Sequence, residues 1–167
     1  MRLELHVDGP EDGEPQSPIP LSAWGAFGRV LVGELASLYP EIVRYGTVEL
    51  SVTLLGPDEM RSVNREYRER DEATDVLSFP LWEADGRFVP DGALTELLPL
   101  GDILICPEEV ARLHEGLPPE DALCLVLAHG FLHLLAWDHD TEERESAMWA
   151  RQDAVKQRLL DVLRGGH

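Results

Sequence analysis

Apolar and polar residues alternate over residues 3–7, LELHV, and again from Val48 to Leu54, VELSVTL. A period of two sends one side of each segment into a core, so both read as strands. Between them the period changes. Trp24, Phe27, Leu31, Leu35 and Leu38 recur at helical spacing from Ser22 onward, and Pro40 closes the run. Gly56 and Pro57 open a second helix with Asp58 and Glu59 in its first turn, where carboxylates suit the helix dipole. Its inner stripe is Met60, Val63, Asn64 and Tyr67.

The segment DVLSF, from Asp75 to Phe79, reads as a short strand. The chain up to Leu100 is turn-rich, with DG at 85–86 and 91–92, and fits a hairpin or an irregular excursion. GDILIC at 101–106 is a buried strand, and Pro107 then opens a short helix through His114. Pro119, Glu120 and Asp121 start a helix that is apolar on almost every side, which places it centrally in the core. Asp140 and Glu143 resemble a capping box for a last helix running to about Leu163. The order of elements predicts a single α+β domain over residues 1–167, with a small mixed sheet of about four strands against about five helices.

Composition narrows the function. The 167 residues carry a net charge of −18, which argues against sequence-blind binding to nucleic acid, a mode that depends on Lys and Arg neutralising phosphates. Four carboxylates and no basic residue lie in the Gly- and Pro-rich segment 8–20, which reads as an acidic surface loop. Any RNA contact is therefore local, and the densest positive group is Arg61, Arg65, Arg68 and Arg70. With no secretory segment or membrane span in the pattern, Cys106 and Cys124 read as buried thiols of a cytoplasmic protein.

The chemistry concentrates in HGFLHLLAWDH, residues 129–139. His129 and His133 are four apart and share a helix face, so both can point at one metal ion. His139 lies past the helix and joins them only if the chain turns back sharply. Three neutral imidazoles suit zinc and leave a fourth position for water, the mark of a catalytic site. Asp138 can hold a ligand imidazole in one tautomer from behind. His6, His114 and His167 receive no role. The same offsets occur in a class of zinc proteases, but their general base would fall at Gly130. Ala136 occupies the offset where those proteases carry glycine; a positive φ there would cost alanine ~1 kcal/mol.

HGFLHLLAWDH resembles the H-G-x-L-H-L-x-G-x-D-H signature of the YbeY family of bacterial rRNA maturation factors and endoribonucleases. NREYRERDEATDVLSFP, from Asn64, is similar to the family's N-x-x-[YF]-R-x-x-x-x-x-T-D-V-L-S-F-P, and LGDILIC at 100–106 resembles its L-G-D-I-x-I strand. The one departure is Ala136. The resemblance implies one zinc ion held by His129, His133 and His139, a functional arginine at Arg68, and cleavage of single-stranded RNA. It further implies maturation of the 16S rRNA 3′ end on the small ribosomal subunit and 70S quality control, with ribosomal-protein and GTPase partners; no membrane or DNA role is expected.

The residues support part of this. Arg68 can grip a phosphate through two parallel hydrogen bonds, and Arg65 is a possible RNA contact. Arg61 and Arg70 read instead as members of i, i+4 ion pairs on a solvated face. No side chain presents itself as general base, so the nucleophile falls to the RNA 2′-hydroxyl or to water on the metal. Gly130 reads as leaving room near the metal for a phosphodiester. The rival reading is a non-catalytic, zinc-stabilised ribosome assembly factor.

Overall fold

The computed structural model describes residues 1–9, 17–90 and 96–165. Most of the acidic segment, the DG at 91–92 and His167 lie outside the described residues. Four strands, β1 (Arg2–Asp8), β2 (Thr47–Leu54), β3 (Val76–Pro80) and β6 (Leu97–Ile105), form one sheet in the order β1-β2-β6-β3. β1, β2 and β6 run parallel and β3 runs antiparallel to β6. A two-residue hairpin pair, β4 (Glu83–Ala84) and β5 (Arg87–Phe88), stands apart from the sheet. Five α-helices are described: α1 (Leu21–Leu38), α2 (Pro57–Arg68), α3 (Pro107–Leu113), α4 (Pro119–Leu134) and α5 (Glu142–Gly165). The domain is α+β with a mixed sheet, as the order of elements predicts.

The alternation in β2 explains the layering. Val48, Leu50, Val52 and Leu54 are buried on one face, with Leu98, Leu100, Ile103 and Ile105 of β6 beside them. On that face α1 packs against β1, and α4 packs against β3 and β6. α5 lies against both α1 and α4, which makes α4 the buried centre. The apolar character of α4 therefore reflects contact on nearly every side: Leu123, Leu127, Ala128, Phe131 and Leu134 are all fully buried. A charged clamp fastens α5 to α1. Glu34, buried on α1, pairs with Arg158 and with Arg151 (3.5 Å), both on α5. Without the two arginines the Glu34 carboxylate would be left as an uncompensated buried charge, so the clamp fixes how α5 sits.

Among the described residues the opposite face is covered where α2 crosses it, with Met60 packed on Leu77 and Cys106. This thin cover corrects one expectation. Tyr67 does not join an inner stripe; it is 63% exposed and meets Phe79 edge-on at 5.4 Å. β6 also begins earlier than its sequence suggests. Residues 97–100 are strand, because Pro99 sits beside a one-residue slip in the pairing with β2. Proline masks a strand in sequence because it cannot donate to the ladder. The cap of α5 is Thr141, one residue later than expected: its Oγ1 accepts from the Arg144 N–H at 3.1 Å. Arg61 is ion-paired, but with Asp71 beyond the end of its helix at 2.8 Å, not at i, i+4.

Candidate metal centre

His129 and His133 project from the last two turns of α4. The turn after Leu134 decides whether His139 can join them. Ala136 N–H donates to the His133 carbonyl and Trp137 N–H to the Leu132 carbonyl, both at 3.0 Å. This is the Schellman pattern that ends many helices, and it requires its first donor residue to be left-handed. Ala136 is that residue, at φ 66°. The turn thus has the glycine geometry and tolerates alanine, at a strain of ~1–2 kcal/mol. Tyr39 Oη donates to the Leu135 carbonyl at 3.2 Å and helps hold the reversal in place.

The reversal brings the three imidazoles together. Their ligand nitrogens all lie within 4.8 Å of one another. His129 Nε2 and His133 Nε2 face each other across 2.9 Å. Two ligands at the ~2.0–2.1 Å Zn–N distance and a tetrahedral angle stand a little over 3 Å apart, so the three rings can close on one ion with small adjustments. Burial lowers the pKa of His129, and burial with the neighbouring His129 pushes His133 down to about 4. Both rings are therefore neutral near pH 7, the form in which imidazole binds metal.

The partner of His129 is a residue that the sequence did not single out. Gln152 of α5, nearly buried, places Oε1 2.7 Å from His129 Nδ1. A carbonyl oxygen only accepts, so the proton sits on Nδ1 and the Nε2 lone pair is left free for a metal. Asp138 lines the same cleft, but its Oδ1 accepts from the His139 backbone N–H at 2.8 Å. It braces the turn and not a ring. Trp149, also on α5, stacks on His139 with centroids 5.4 Å apart and planes 26° apart. The signal for both residues was present in sequence. They stand three apart on one helix face, directly after the histidine motif.

These groups border a cleft of about 570 Å³. Arg68, from the end of α2, lines it too, together with Asp75, Ser78 and His114. Asn64 explains how: buried under α2, its Nδ2 donates to the Glu72 carbonyl at 2.8 Å and ties down the loop that leads to β3. Among the described residues no carboxylate pairs with Arg68. Arg65 is outside the cleft lining and faces Asp71 at 3.8 Å. Asp75 fixes His114 by an Oδ2–Nε2 contact of 2.9 Å, so the histidine that received no role stands on the cleft wall.

Gly130 does not face the cleft as expected. A Cβ there would meet Ile103 Cγ2 at 3.0 Å, Ser78 Oγ at 3.1 Å and Val76 Cγ2 at 3.3 Å. Ser78 Oγ also donates to the Gly130 carbonyl at 3.0 Å. The glycine lets α4 press onto β3 and β6, which sets the depth of the two histidines.

Comparisons with known proteins identify the family to which the chain is similar. A family model described as Endoribonuclease YbeY matches residues 31–160. Proteins named Endoribonuclease YbeY from Staphylococcus aureus strains JH9 and Newman are each 41% identical over 109 residues, covering 64% of this chain and 70% of theirs. A solution structure of a Thermotoga maritima protein matches with a TM-score of 0.55 and 25% identity, over 98% of this chain and 93% of that one.

Proposed function

The chain belongs to the YbeY endoribonuclease family, and we propose that it is a zinc-dependent endoribonuclease that cuts single-stranded RNA in the cytoplasm. Its substrate on this reading is ribosomal RNA of the small subunit, at the 3′ end of 16S rRNA and in 70S quality control, with ribosomal-protein and GTPase partners. One observation carries the chemistry: His129, His133 and His139 share a single cleft with an arginine that no described carboxylate neutralises.

His129, His133 and His139 would hold a zinc ion, which would supply Lewis acidity toward a phosphoryl oxygen. The protein does the rest. Gln152 keeps the His129 proton on Nδ1, away from the metal side. Arg68 takes the phosphate in a two-pronged grip and offsets the charge that builds up as the phosphodiester is cleaved. A helix-borne glutamate of the protease kind is absent at Gly130, so the RNA 2′-hydroxyl is the nucleophile in this reading. A DNA strand of the same sequence is then expected to survive; its cleavage at the RNA rate rules out that nucleophile. No helix among the described residues is long and apolar enough to cross a membrane.

The decisive pair of variants is His133→Ala and Arg68→Ala. His133→Ala is expected to lose both zinc and cleavage. Arg68→Ala is expected to keep its fold and its zinc and to lose ~100-fold or more in kcat, the scale on which removal of a charge-stabilising donor acts. Wild-type cleavage by purified Arg68→Ala would leave the assembly-factor reading in its place.

A further inference from the structure

Trp137 and Trp149 both line the cleft, and Trp149 is the more exposed of the two. It is 38% exposed, where Trp24 is 4% exposed in the core. One side rests on His139, and its ring centroid is 5.8 Å from that of His129 with planes 33° apart. It therefore stands beside the atoms that would hold the metal and still presents surface to solvent.

Charge makes that surface informative. A net charge of −18 repels a polyanion, and Asp75, Glu83 and Asp138 line the cleft beside the single arginine. Phosphate neutralisation, the usual source of RNA affinity, is then weak. Stacking of bases on aromatic rings is a source of affinity that does not depend on net charge and accepts every base. It also discriminates, because a base inside a duplex has no free face to offer.

We propose that Trp149 is a stacking platform for an unpaired nucleobase of the RNA, next to the phosphate held at the histidine cluster. The proposal rests on the endoribonuclease reading, and it makes single-strand preference a property of this side chain. Its competitor is a packing role, in which Trp149 only walls in His139.

The test uses the full chain loaded with zinc and a fluorescein-labelled, 2′-O-methylated single-stranded oligoribonucleotide that binds without being cut. Trp149→Ala, Trp149→Phe and Trp149→Leu are compared for zinc content and for oligonucleotide Kd. Loss of a stacked base weakens binding ~5- to 150-fold. Trp149→Ala and Trp149→Leu are expected to weaken binding by that factor, and Trp149→Phe by only a few-fold, with zinc content equal in all four proteins. Leucine and phenylalanine both fill the space, but only phenylalanine offers a ring. If Trp149→Leu binds as well as Trp149→Phe, or if Trp149→Ala binds as wild type does, the platform is refuted and the endoribonuclease reading stands. If wild type does not bind the oligonucleotide at all, that reading falls and the platform with it.

Discussion

Replacing Gly101 with alanine should damage this fold more than any other one-methyl change in the sheet, and the structure says by how much. Gly101 adopts φ +134°, a conformation that side chains other than hydrogen rarely enter. A Cβ there would lie 2.2 Å from the Phe79 carbonyl oxygen and 3.2 Å from Leu134 Cδ2. The nearest atom is backbone in a paired strand, so no rotamer change relieves the contact. Strain at such a φ costs ~1–3 kcal/mol, and overpacking costs a further ~1–3 kcal/mol. The lower entropy of unfolded alanine returns ~0.4–1 kcal/mol. The net loss is about 1–6 kcal/mol, centred near ~3, which for a chain of this size corresponds to a fall in Tm of roughly 5–15 °C at the centre. Urea unfolding followed by circular dichroism measures it. Gly116→Ala is the control: nothing lies within 4 Å of its added Cβ, and its stability should stay within ~0.5 kcal/mol of wild type. If Gly101→Ala also stays within ~1 kcal/mol, the close approach of β3 to β6 is not rigid, and the placing of Ser78 and Pro80 at the cleft needs another cause.

The same contacts lead to further outcomes. Gln152→Leu should keep the fold but weaken zinc binding ~10- to 100-fold, read by competition with a chromogenic chelator, since the tautomer of His129 is no longer held; unchanged affinity would mean that Gln152 only packs. Ala136→Gly should relieve ~1–2 kcal/mol of left-handed strain against ~0.4–1 kcal/mol of added unfolded-state entropy, so its urea midpoint should equal or exceed that of wild type, and a clear decrease would refute the strain. Gly130→Ala gains ~1 kcal/mol of helix propensity but incurs ~1–3 kcal/mol of overpacking against Ile103, Ser78 and Val76; calorimetry should show an unchanged or lowered Tm, and a raised one would mean that the neighbours move aside freely. Burial pushes the Cys124 thiol up to about 12 and raises Cys106 as well, so iodoacetamide at pH 8 should label neither in the native protein and both in urea, as counted by mass spectrometry; rapid native labelling of Cys124 would contradict the packing of α4.

The parts of this structure that were legible in sequence are those where one periodic pattern meets one flat neighbour. β2 alternates because one of its faces is core, and α1 shows a single stripe because one of its sides is. The histidine triad was legible because a helix puts i and i+4 together. What escaped depends on contacts between elements. Tyr67 looked apolar at the right spacing, but α2 covers too little sheet to bury it. Gly130 looked like space for a ligand, because sequence does not say which side of α4 faces β3. The role expected of Asp138 in holding a ring falls instead to Gln152, more than ten residues further along the chain, because α5 folds back over α4. Ala136 was legible as a question, and its Schellman hydrogen bonds answer it.

The arrangement of α4 and α5 also has a consequence in time. A growing chain emerges in order, and domains fold as it appears. His129 and His133 leave the ribosome ahead of Gln152 and Trp149. Until α5 is made and its arginines find Glu34, the imidazole of His129 is free to carry its proton on either nitrogen. A metal ion arriving early would meet an undecided ligand, and one arriving after α5 docks would meet a chosen one. Completion of α5 therefore marks the point in synthesis at which His129 has its tautomer set.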